Sequence, residues 1–302
     1  MEKLQVLVVT MKQSDFSKIK EMNLSTAAVI ANQADDTRYD ETQISGYTVK
    51  MITTTTRGVG INRNIALSYA DGDILLLADD DVKYKDSYSN LVLDAFRKVP
   101  ETDALIFIDI IGLDKAGRKN TAIKRVRYFN ALNYGAVRIA VKRKRLIVNN
   151  INFTTCFGGG TIYSADEDSM YIWDMLKKGL KIYTYPLTIA EVNQTTSTWF
   201  NGFHKKYFYD KGALFSALIG KPMAYILCLQ DLVRHSSVYS GSEFKFKQRF
   251  SEMKKGVCGY KDLSPYVEDC QYEKNKVGGV ILYFKSLSAA LLTSKMEGVK
   301  AA

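Results

Sequence analysis

The chain has 302 residues, of which 46% are hydrophobic and 25% are charged, a composition that excludes a disordered protein. One large or two modest globular domains are expected from this length. Its four cysteines are scattered without a CxxC pair, and its start, MEKLQVLVVTMKQ, lacks the apolar core of a signal peptide, so we expect free thiols and a cytoplasmic location. Two histidines without a Cys/His cluster argue against zinc.

The net charge of +10 comes from one segment. Residues 114–145 contain eleven Lys or Arg and one Asp, and the rest of the chain carries 31 basic and 31 acidic residues. Such a patch favours an anionic partner: a phosphate, an acidic membrane surface or a nucleic acid. A solvated face or a loop is the simpler alternative.

Three apolar runs predict the first strands, at Leu4–Thr10, Thr26–Ala31 and Tyr47–Thr54. The second run ends in a polar stretch that contains Asn32, Asp35 and Asp36. Polar groups at the end of a strand could contact a base or a ribose, although a turn rich in Asn and Asp is the commoner explanation.

The third predicted strand is followed by a glycine-rich loop, Arg57-Gly58-Val59-Gly60, and a predicted helix. The loop resembles a dinucleotide fingerprint, but Arg63 stands at the third glycine position, and a lone GxG is a weak signal. A helix N-terminus with arginines nearby favours an anion. An ordinary tight turn with surface arginines is the alternative.

The next strand ends in three carboxylates. Ile74–Ala78 is a continuous apolar run, typical of a strand buried on both faces of a parallel sheet, and Asp79, Asp80 and Asp81 follow it directly. Asp79 and Asp81 would point the same way in an extended chain and could hold a divalent cation. A solvated acidic turn is the alternative. Strands alternate with helices over the first 110 residues, which predicts an α/β doubly wound sheet.

Two later stretches combine glycines, acids and aromatic residues. Gly159 and Gly160 lie in a triple glycine that allows a ligand to approach the backbone closely. Glu167 and Asp168 precede a predicted helix at Ser169–Lys178, where acids act either as helix caps or as a general base at a cleft. Residues 195–212 mix aromatic residues with lysines and contain Trp199 and His204. The apolar run after them is interrupted by charges, which argues against a membrane-spanning helix.

Three pieces together resemble a family 2 glycosyltransferase of the GT-A fold: RGVGINRNIALSYADGDILLLADDDV, FGGGTIYSADEDSMYIWDMLKKGLKIYTYP and the opening strand VLVVT. The resemblance covers about residues 4–200. It implies a Rossmann-like, mixed but mainly parallel α/β sheet flanked by helices, with a C-terminal helical extension. The implied units are a nucleotide-sugar-binding half at 1–112, an acceptor-binding half at 113–200 and a mainly helical extension at 201–302.

The resemblance also implies roles for single residues. Asp79 and Asp81 match the Asp-x-Asp motif that holds Mn²⁺ or Mg²⁺, and Asp168, beside Glu167, matches the catalytic base. The implied donor-binding residues are Thr10, Asn32, Asp35, Asp36, Arg57, Gly58, Arg63 and Asp80. Acceptor contacts are implied for Gly159, Gly160 and Trp199, and His204 is a candidate for touching the metal or the diphosphate.

The expected activity is that of an inverting, metal-dependent glycosyltransferase of bacterial surface polysaccharide synthesis, such as that of capsule or exopolysaccharide. It would move a sugar from a nucleotide-diphosphate donor to a hydroxyl group of a glycan or of a lipid-diphosphate-linked acceptor. The Gln-x-x-Arg-Trp motif of processive synthases is missing, which favours a single addition. Residues 114–145 would contact either the anionic inner face of the cell membrane or a lipid-diphosphate acceptor, and no nucleic acid is expected. A nucleotidyltransferase, or a nucleic-acid-binding or membrane-binding module without catalysis, is the alternative.

Overall fold

The computed structural model describes residues 2–108, 110–112, 122–192 and 202–260, together with the backbone of 273–274 and 280–281. Within these residues the chain forms a mixed sheet covered by helices on both faces, and three further helices follow it. No helix in the described ranges is long and apolar enough to cross a membrane.

The strands of the molecule are β1 Leu4–Met11, β2 Ala27–Gln33, β3 Arg38–Ile44, β4 Tyr47–Thr54, β5 Ile74–Asp79, β6 Val82–Tyr84, β7 Ala104–Ile108, β8 Lys124–Arg125, β9 Ile139–Lys142, β10 Ile182–Pro186, β11 Ala190–Val192, β12 Glu273–Lys274 and β13 Val280–Ile281. The helices are α1 Ser17–Glu21, α2 Val59–Ser68, α3 Tyr88–Lys98, α4 Arg143–Asn149, α5 Glu167–Lys177, α6 Lys205–Ile219, α7 Lys221–Arg234 and α8 Phe246–Gly259. Short 3₁₀ turns lie at Ala131–Asn133, Ala136–Arg138 and Val238–Gly241.

The main sheet has the strand order β3-β4-β2-β1-β5-β9-β7-β10-β8. β1, β2, β4 and β5 are parallel neighbours, as are β7 and β10. β9 runs antiparallel to both β5 and β7, so these two strands point in the same direction. The predicted mixed, mainly parallel α/β sheet is therefore confirmed.

Alternate residues of the central strands enter two separate hydrophobic clusters. In β5, for example, Leu75 and Leu77 pack with α2, α5 and the C-terminal helices, whereas Leu76 packs on the opposite face with α1 and α3. All three side chains are buried. Burial on both faces explains why these strands appear in the sequence as unbroken apolar runs.

The helices α6, α7 and α8 pack against one another beside the sheet. Two glycines permit the contact between α6 and α8: a Cβ on Gly212 would lie 2.0 Å from the carbonyl oxygen of Met253, and one on Gly256 would lie 1.9 Å from that of Tyr209. Any larger residue at either position would push these helix backbones apart.

Candidate active site

The carboxyl ends of β1, β2, β4 and β5 meet at one edge of the sheet. Strand pairing places Thr10 beside Asn32, and Asn32 beside Thr53, while Asp79 lies level with Val9. Open α/β sheets bind their ligands at such an edge. The structure therefore brings the polar residues after three separate strands to one place.

A buried arginine joins two acidic motifs that are far apart in the sequence. Arg63 donates from Nη2 to Oδ1 of Asp79 at 2.8 Å and from Nη1 to Oε1 of Glu167 at 2.7 Å. Its guanidinium also lies 5.3 Å from the centre of the Phe153 ring. Burial disfavours the charge, yet the carboxylates of Asp79 and Glu167 raise the pKa of Arg63 above its usual value. We call Arg63, Asp79 and Glu167 the Arg63 cluster.

Helix α2 holds Arg63 in place through its neighbours in the chain. The side chain of Asn64 accepts a hydrogen bond from the backbone N–H of Phe153 and donates one to its carbonyl oxygen, both at 2.8 Å. Gly60 lets this segment approach, because a Cβ there would lie 2.0 Å from the carbonyl oxygen of Thr154. Asn62 donates to the carbonyl oxygens of Thr10 and Ala31 at the strand ends.

The three aspartates after β5 have different surroundings. Asp79 is bound by Arg63, and Asp80 accepts a hydrogen bond from the hydroxyl of Thr10. Burial, together with the negative charges of Asp79 and Asp80, raises the pKa of Asp81 to about 6. A nearby cation would therefore favour the ionised form of the Asp81 carboxylate.

The aspartates suit a metal that is shared with a substrate. Among the described residues, no group of three or more His, Cys, Asp or Glu side chains is arranged to hold a metal ion. Mg²⁺ is commonly bound through one or two carboxylates plus substrate phosphates, without a cage of protein ligands. Asp81, with Asp79 beside it, fits binding through carboxylates plus substrate phosphates. Its pKa is raised, so a cation would stabilise its ionised form, and its side chain is partly exposed.

Asp168 lies in the first turn of α5, which begins at Glu167. One of its oxygens accepts the backbone N–H of Ser169 at 2.7 Å, and the other is close to Gly135, where a Cβ would lie 3.4 Å away. Burial, followed by the negative charges of Glu167 and Asp166, raises the pKa of Asp168 to about 7. A carboxyl group that titrates near neutral pH is suited to general-base chemistry.

The glycines of the two loops contact each other. Gly158 has φ +103°, and a Cβ there would lie 2.8 Å from Oε2 of Glu167, so this glycine makes room for the buried carboxylate. The backbone N–H of Val59 donates to the carbonyl oxygen of Gly159 at 3.0 Å. A Cβ on Gly160 would lie 3.3 Å from the backbone nitrogen of Gly58. The loop predicted to hold the donor therefore supports the loop predicted to hold the acceptor.

Several of the predicted donor-binding residues already have protein partners. The amide of Asn32 exchanges hydrogen bonds with the backbone of Gln13 and donates to Thr53. Arg57 forms an ion pair with Asp35 at 2.7 Å and also donates to three backbone carbonyl oxygens. These contacts order the loops at this edge of the sheet, and donor binding by these residues stays a prediction.

Asp36, the other acid predicted after the second strand, pairs with Arg38 at 3.0 Å. His204 is exposed and caps α6, since its Nδ1 accepts the backbone N–H of Tyr207 at 3.2 Å. Its role at a metal or a diphosphate stays a prediction. Trp199 lies outside the described residues.

The basic segment is described only from residue 122 onward. Its cations are spread over several elements: Arg125 lies 5.3 Å from the centre of the Tyr183 ring, Arg145 pairs with Asp103 at 2.9 Å, and Arg138 is buried. The predicted membrane contact of residues 114–145 is not tested by these contacts.

One pair of residues near Asp168 was not predicted from the sequence. Asp166 precedes α5 with φ +75°, and its carboxylate lies 3.4 Å from Nζ of Lys211 on α6. Burial opposes the charge, but the carboxylates of Asp166 and Asp231 raise the pKa of Lys211 above its usual value. The only sequence signal was the mixture of lysines and aromatic residues at 195–212.

Residues 26–167 match the model of the family described as Glycosyl transferase family 2. No curated protein matched the sequence. Among solved structures, S. aureus TarS 1-349 in complex with UDP-GlcNAc is similar, with a TM-score of 0.56 and 13% identity over 94% of this chain and 97% of that chain. The same protein in complex with UDP gives a TM-score of 0.53 at 14% identity, with the same coverage.

A longer S. aureus TarS structure gives a TM-score of 0.50 at 15% identity, over 82% of this chain and 46% of that chain. At these identities the similarity shows the fold alone. The fold is that of the GT-A glycosyltransferases, and the resemblance to glycosyl transferase family 2 is confirmed over residues 26–167.

Proposed function

We propose that this protein is an inverting glycosyltransferase that moves a sugar from a nucleotide-diphosphate donor to a hydroxyl group of a glycan or lipid-linked acceptor. The observation that carries the proposal is the Arg63 cluster, which ties the aspartates after β5 to the start of α5. This contact supports the proposal because it joins the aspartates that would bind a cation to the start of α5, where the pKa of Asp168 is raised. The family match over residues 26–167 agrees with this chemistry.

The donor would lie at the carboxyl ends of β1, β2, β4 and β5. Asp81 and Asp79 would hold a divalent cation, which when bound supplies positive charge that makes the nucleoside diphosphate a better leaving group. Arg63 fixes the direction of the Asp79 carboxylate, and Thr10 fixes that of Asp80. UDP-GlcNAc and UDP in the similar TarS structures support a nucleotide-sugar donor here.

Asp168 would accept the proton of the acceptor hydroxyl as its oxygen attacks the anomeric carbon. Attack on the face opposite the leaving group forms the new glycosidic bond, breaks the bond to the diphosphate and inverts the anomeric configuration. Glu167 is fully buried and bound to Arg63, so its role would be to position the cluster. A transition state with oxocarbenium character is expected, as in glycoside hydrolysis.

The place of this reaction is a proposal as well. Synthesis of a bacterial surface polysaccharide, at a peripheral position on the inner face of the cell membrane, agrees with the family match and with the excess of basic residues at 114–145. The division into a donor half at 1–112, an acceptor half at 113–200 and an extension at 201–302 agrees with the helical packing of α6, α7 and α8.

Substitution of Asp168 should abolish transfer without affecting donor binding. Asp168→Asn keeps the shape of the side chain and removes the base, so it should bind a nucleotide sugar with unchanged affinity. Its release of nucleoside diphosphate in the presence of a panel of glycan and lipid-diphosphate acceptors should fall about 10²–10⁴-fold, the usual contribution of a general base. Binding is measured by calorimetry, and release by a coupled assay. Equal release by the variant and the parent would remove Asp168 from this role.

A further inference from the structure

Helix α7 is apolar on almost every side. Ala224, Cys228 and Leu232 on its inner side are buried against α6 and α8. On its outer side, four apolar residues are 42–67% exposed: Met223, Ile226, Leu229 and Val233. At 3.6 residues per turn, these four lie within about a third of the helix circumference. A helix that is apolar all round is normally buried, so this outer side is suited to a partner outside the described part of the chain.

Two residues from other elements extend this apolar area. Phe129 is 78% exposed, and it lies in a turn in which the backbone N–H of Asn130 donates to the carbonyl oxygen of Arg127 at 3.0 Å. Val238, in the turn after α7, is 56% exposed. Phe129 and Val238 line the same cleft of about 750 Å³ as Gln230 of α7. We call Phe129, Val238 and the four outer residues of α7 the apolar surface. An exposed apolar area of this extent marks an interaction site.

The rim of the apolar surface is positively charged. Lys221 and Arg234, the first and last residues of α7, are both exposed, and so is Arg127 at the start of the turn that carries Phe129. The only acid of α7, Asp231, is buried, and its oxygens contact two neighbouring side chains. Residues 221–260 as a whole carry seven Lys or Arg and three Asp or Glu. Apolar side chains with cations around them fit the surface of a membrane that contains anionic lipids.

The apolar surface lies on the side of the sheet that carries the candidate base. The cleft beside it is also lined by Trp173 of α5, the helix in which Asp168 lies. The basic helix α4 lies elsewhere: Lys142, just before it, pairs with Ile74 at the start of β5, whereas the aspartates follow the end of β5. α4 also has an exposed valine, Val148. The two helices therefore offer different surfaces to a membrane, and that of α7 adjoins the helix of the candidate base.

We propose that the apolar surface docks this protein onto a membrane that contains anionic phospholipids. The apolar side chains enter the boundary between headgroups and acyl chains, and Arg127, Lys221 and Arg234 lie among the phosphates. This inference rests on the proposed function for the peripheral position of the protein, and it names the surface that makes the contact. Two other occupants would give different results in the test: a second copy of this chain, and its own residues 261–302.

Vesicle co-sedimentation of the full chain, without any nucleotide sugar, tests the docking. The vesicles contain phosphatidylcholine alone, or phosphatidylcholine with an equal part of phosphatidylglycerol. We expect the parent to bind the anionic vesicles at least about tenfold more tightly than the neutral ones, because the cations of the rim add to the apolar contact. The double variant Ile226→Ser with Val233→Ser should lose at least about tenfold of that affinity, since it removes two apolar side chains from the membrane. Its melting temperature, compared with that of the parent, shows that it is folded.

Val148→Ser is the matched control, because Val148 on α4 is as exposed as Val233 on α7, at 69% and 67%. It should bind the anionic vesicles as tightly as the parent. Equal binding by the parent and the double variant, or an equal loss in Val148→Ser, overturns the docking. Self-association of the parent that the double variant abolishes, measured by sedimentation equilibrium without vesicles, overturns it in favour of a second copy. A parent that neither binds vesicles nor self-associates overturns it in favour of residues 261–302.

Donor binding is measured on the same samples, by calorimetry with nucleotide sugars and Mn²⁺. The double variant should bind the donor as the parent does, because the apolar surface lies apart from the aspartates after β5. Intact donor binding without vesicle binding overturns the docking alone, whereas absence of donor binding in the parent contradicts the proposed function.

Discussion

At the scale of single residues, the site depends on how one arginine distributes its hydrogen bonds. Arg63 satisfies one oxygen of Asp79 and one of Glu167, while Oε2 of Glu167 is buried without a hydrogen-bond partner among the described residues. Removing one partner of a buried ion pair leaves an uncompensated charge, which is strongly destabilising. The Arg63 cluster therefore holds the end of β5 next to the start of α5, and this arrangement depends on Arg63.

Asp168→Asn should stabilise the folded protein above neutral pH. The folded-state pKa of Asp168 is about 7, well above its ordinary value of 3.8, so folding favours the protonated form. Stability therefore rises as the pH falls through 7, and the ionised carboxylate lowers stability above it. The variant has no charge to bury, so its melting temperature should exceed that of the parent by a few degrees at pH 8.5.

Thermal unfolding of both proteins between pH 5 and pH 8.5 measures this difference. The gap in melting temperature should shrink as the pH falls below about 7, because the parent then carries a neutral carboxyl at this position. If the variant melts below the parent at pH 8.5, or if the difference in melting temperature does not change with pH, the pKa of Asp168 is not raised in the folded protein.

The sequence singled out the charged residues of the candidate site, but it did not predict which of them contact one another. Asp79, Arg63 and Glu167 were each predicted from separate motifs, and the structure joins them. Asn32 and Arg57 were predicted to meet a donor, yet the structure shows hydrogen bonds from both to neighbouring backbone. Side chains at the ends of strands can serve either purpose, and only the positions of neighbouring loops decide between the two.

At the scale of the elements, local patterns predicted the strands that are buried on both faces. β1, β4 and β5 lie within one or two residues of the predicted apolar runs. β3 was not predicted because its sequence, RYDETQI, has no apolar run: it lies at the edge of the sheet, where exposed and half-buried residues alternate. β9 was hidden in the basic segment, where IAVK is followed directly by arginines and lysines.

The close contact between α5 and the loop before it can be tested at one glycine. Gly158 and Gly179 both have positive φ, so Ala strains the backbone at either position by about 1–2 kcal/mol. A Cβ on Gly179 meets nothing within 4 Å, whereas one on Gly158 would lie 2.5 Å from Val59 and 2.8 Å from Glu167. Gly158→Ala should therefore cost about 1–3 kcal/mol more than Gly179→Ala.

Denaturant unfolding of the two alanine variants gives this difference in free energy. Transfer activity gives a second readout, because Gly158→Ala displaces Glu167 from Arg63, and Gly179→Ala lies at the far end of α5. We expect activity to fall only in Gly158→Ala. Equal losses of stability in the two variants would show that the loop moves freely and does not hold Glu167.

At the scale of the whole molecule, the sheet divides the chain into two packed faces with different tasks. One face, covered by α1 and α3, is built from apolar contacts. The other is covered by α2 and α5, which supply Arg63, Glu167 and Asp168, and by the helices α6, α7 and α8. The sequence predicted the helical character of the extension. It could not predict the cleft between residues 128–133 and the helices α6 and α7, because the walls of that cleft come from segments about 100 residues apart.

The central claim is that the aspartates after β5 bind a nucleotide sugar together with a divalent cation. Calorimetric titration with a panel of nucleotide sugars, with and without Mn²⁺, on the parent and on Asp81→Asn tests it most directly, and Asp94→Asn on α3 serves as an exposed control. At least one nucleotide sugar should bind the parent and Asp94→Asn only when Mn²⁺ is present, and Asp81→Asn should lose at least tenfold of that affinity. Absence of any metal-dependent nucleotide binding, or equal binding by the parent and Asp81→Asn, would contradict it.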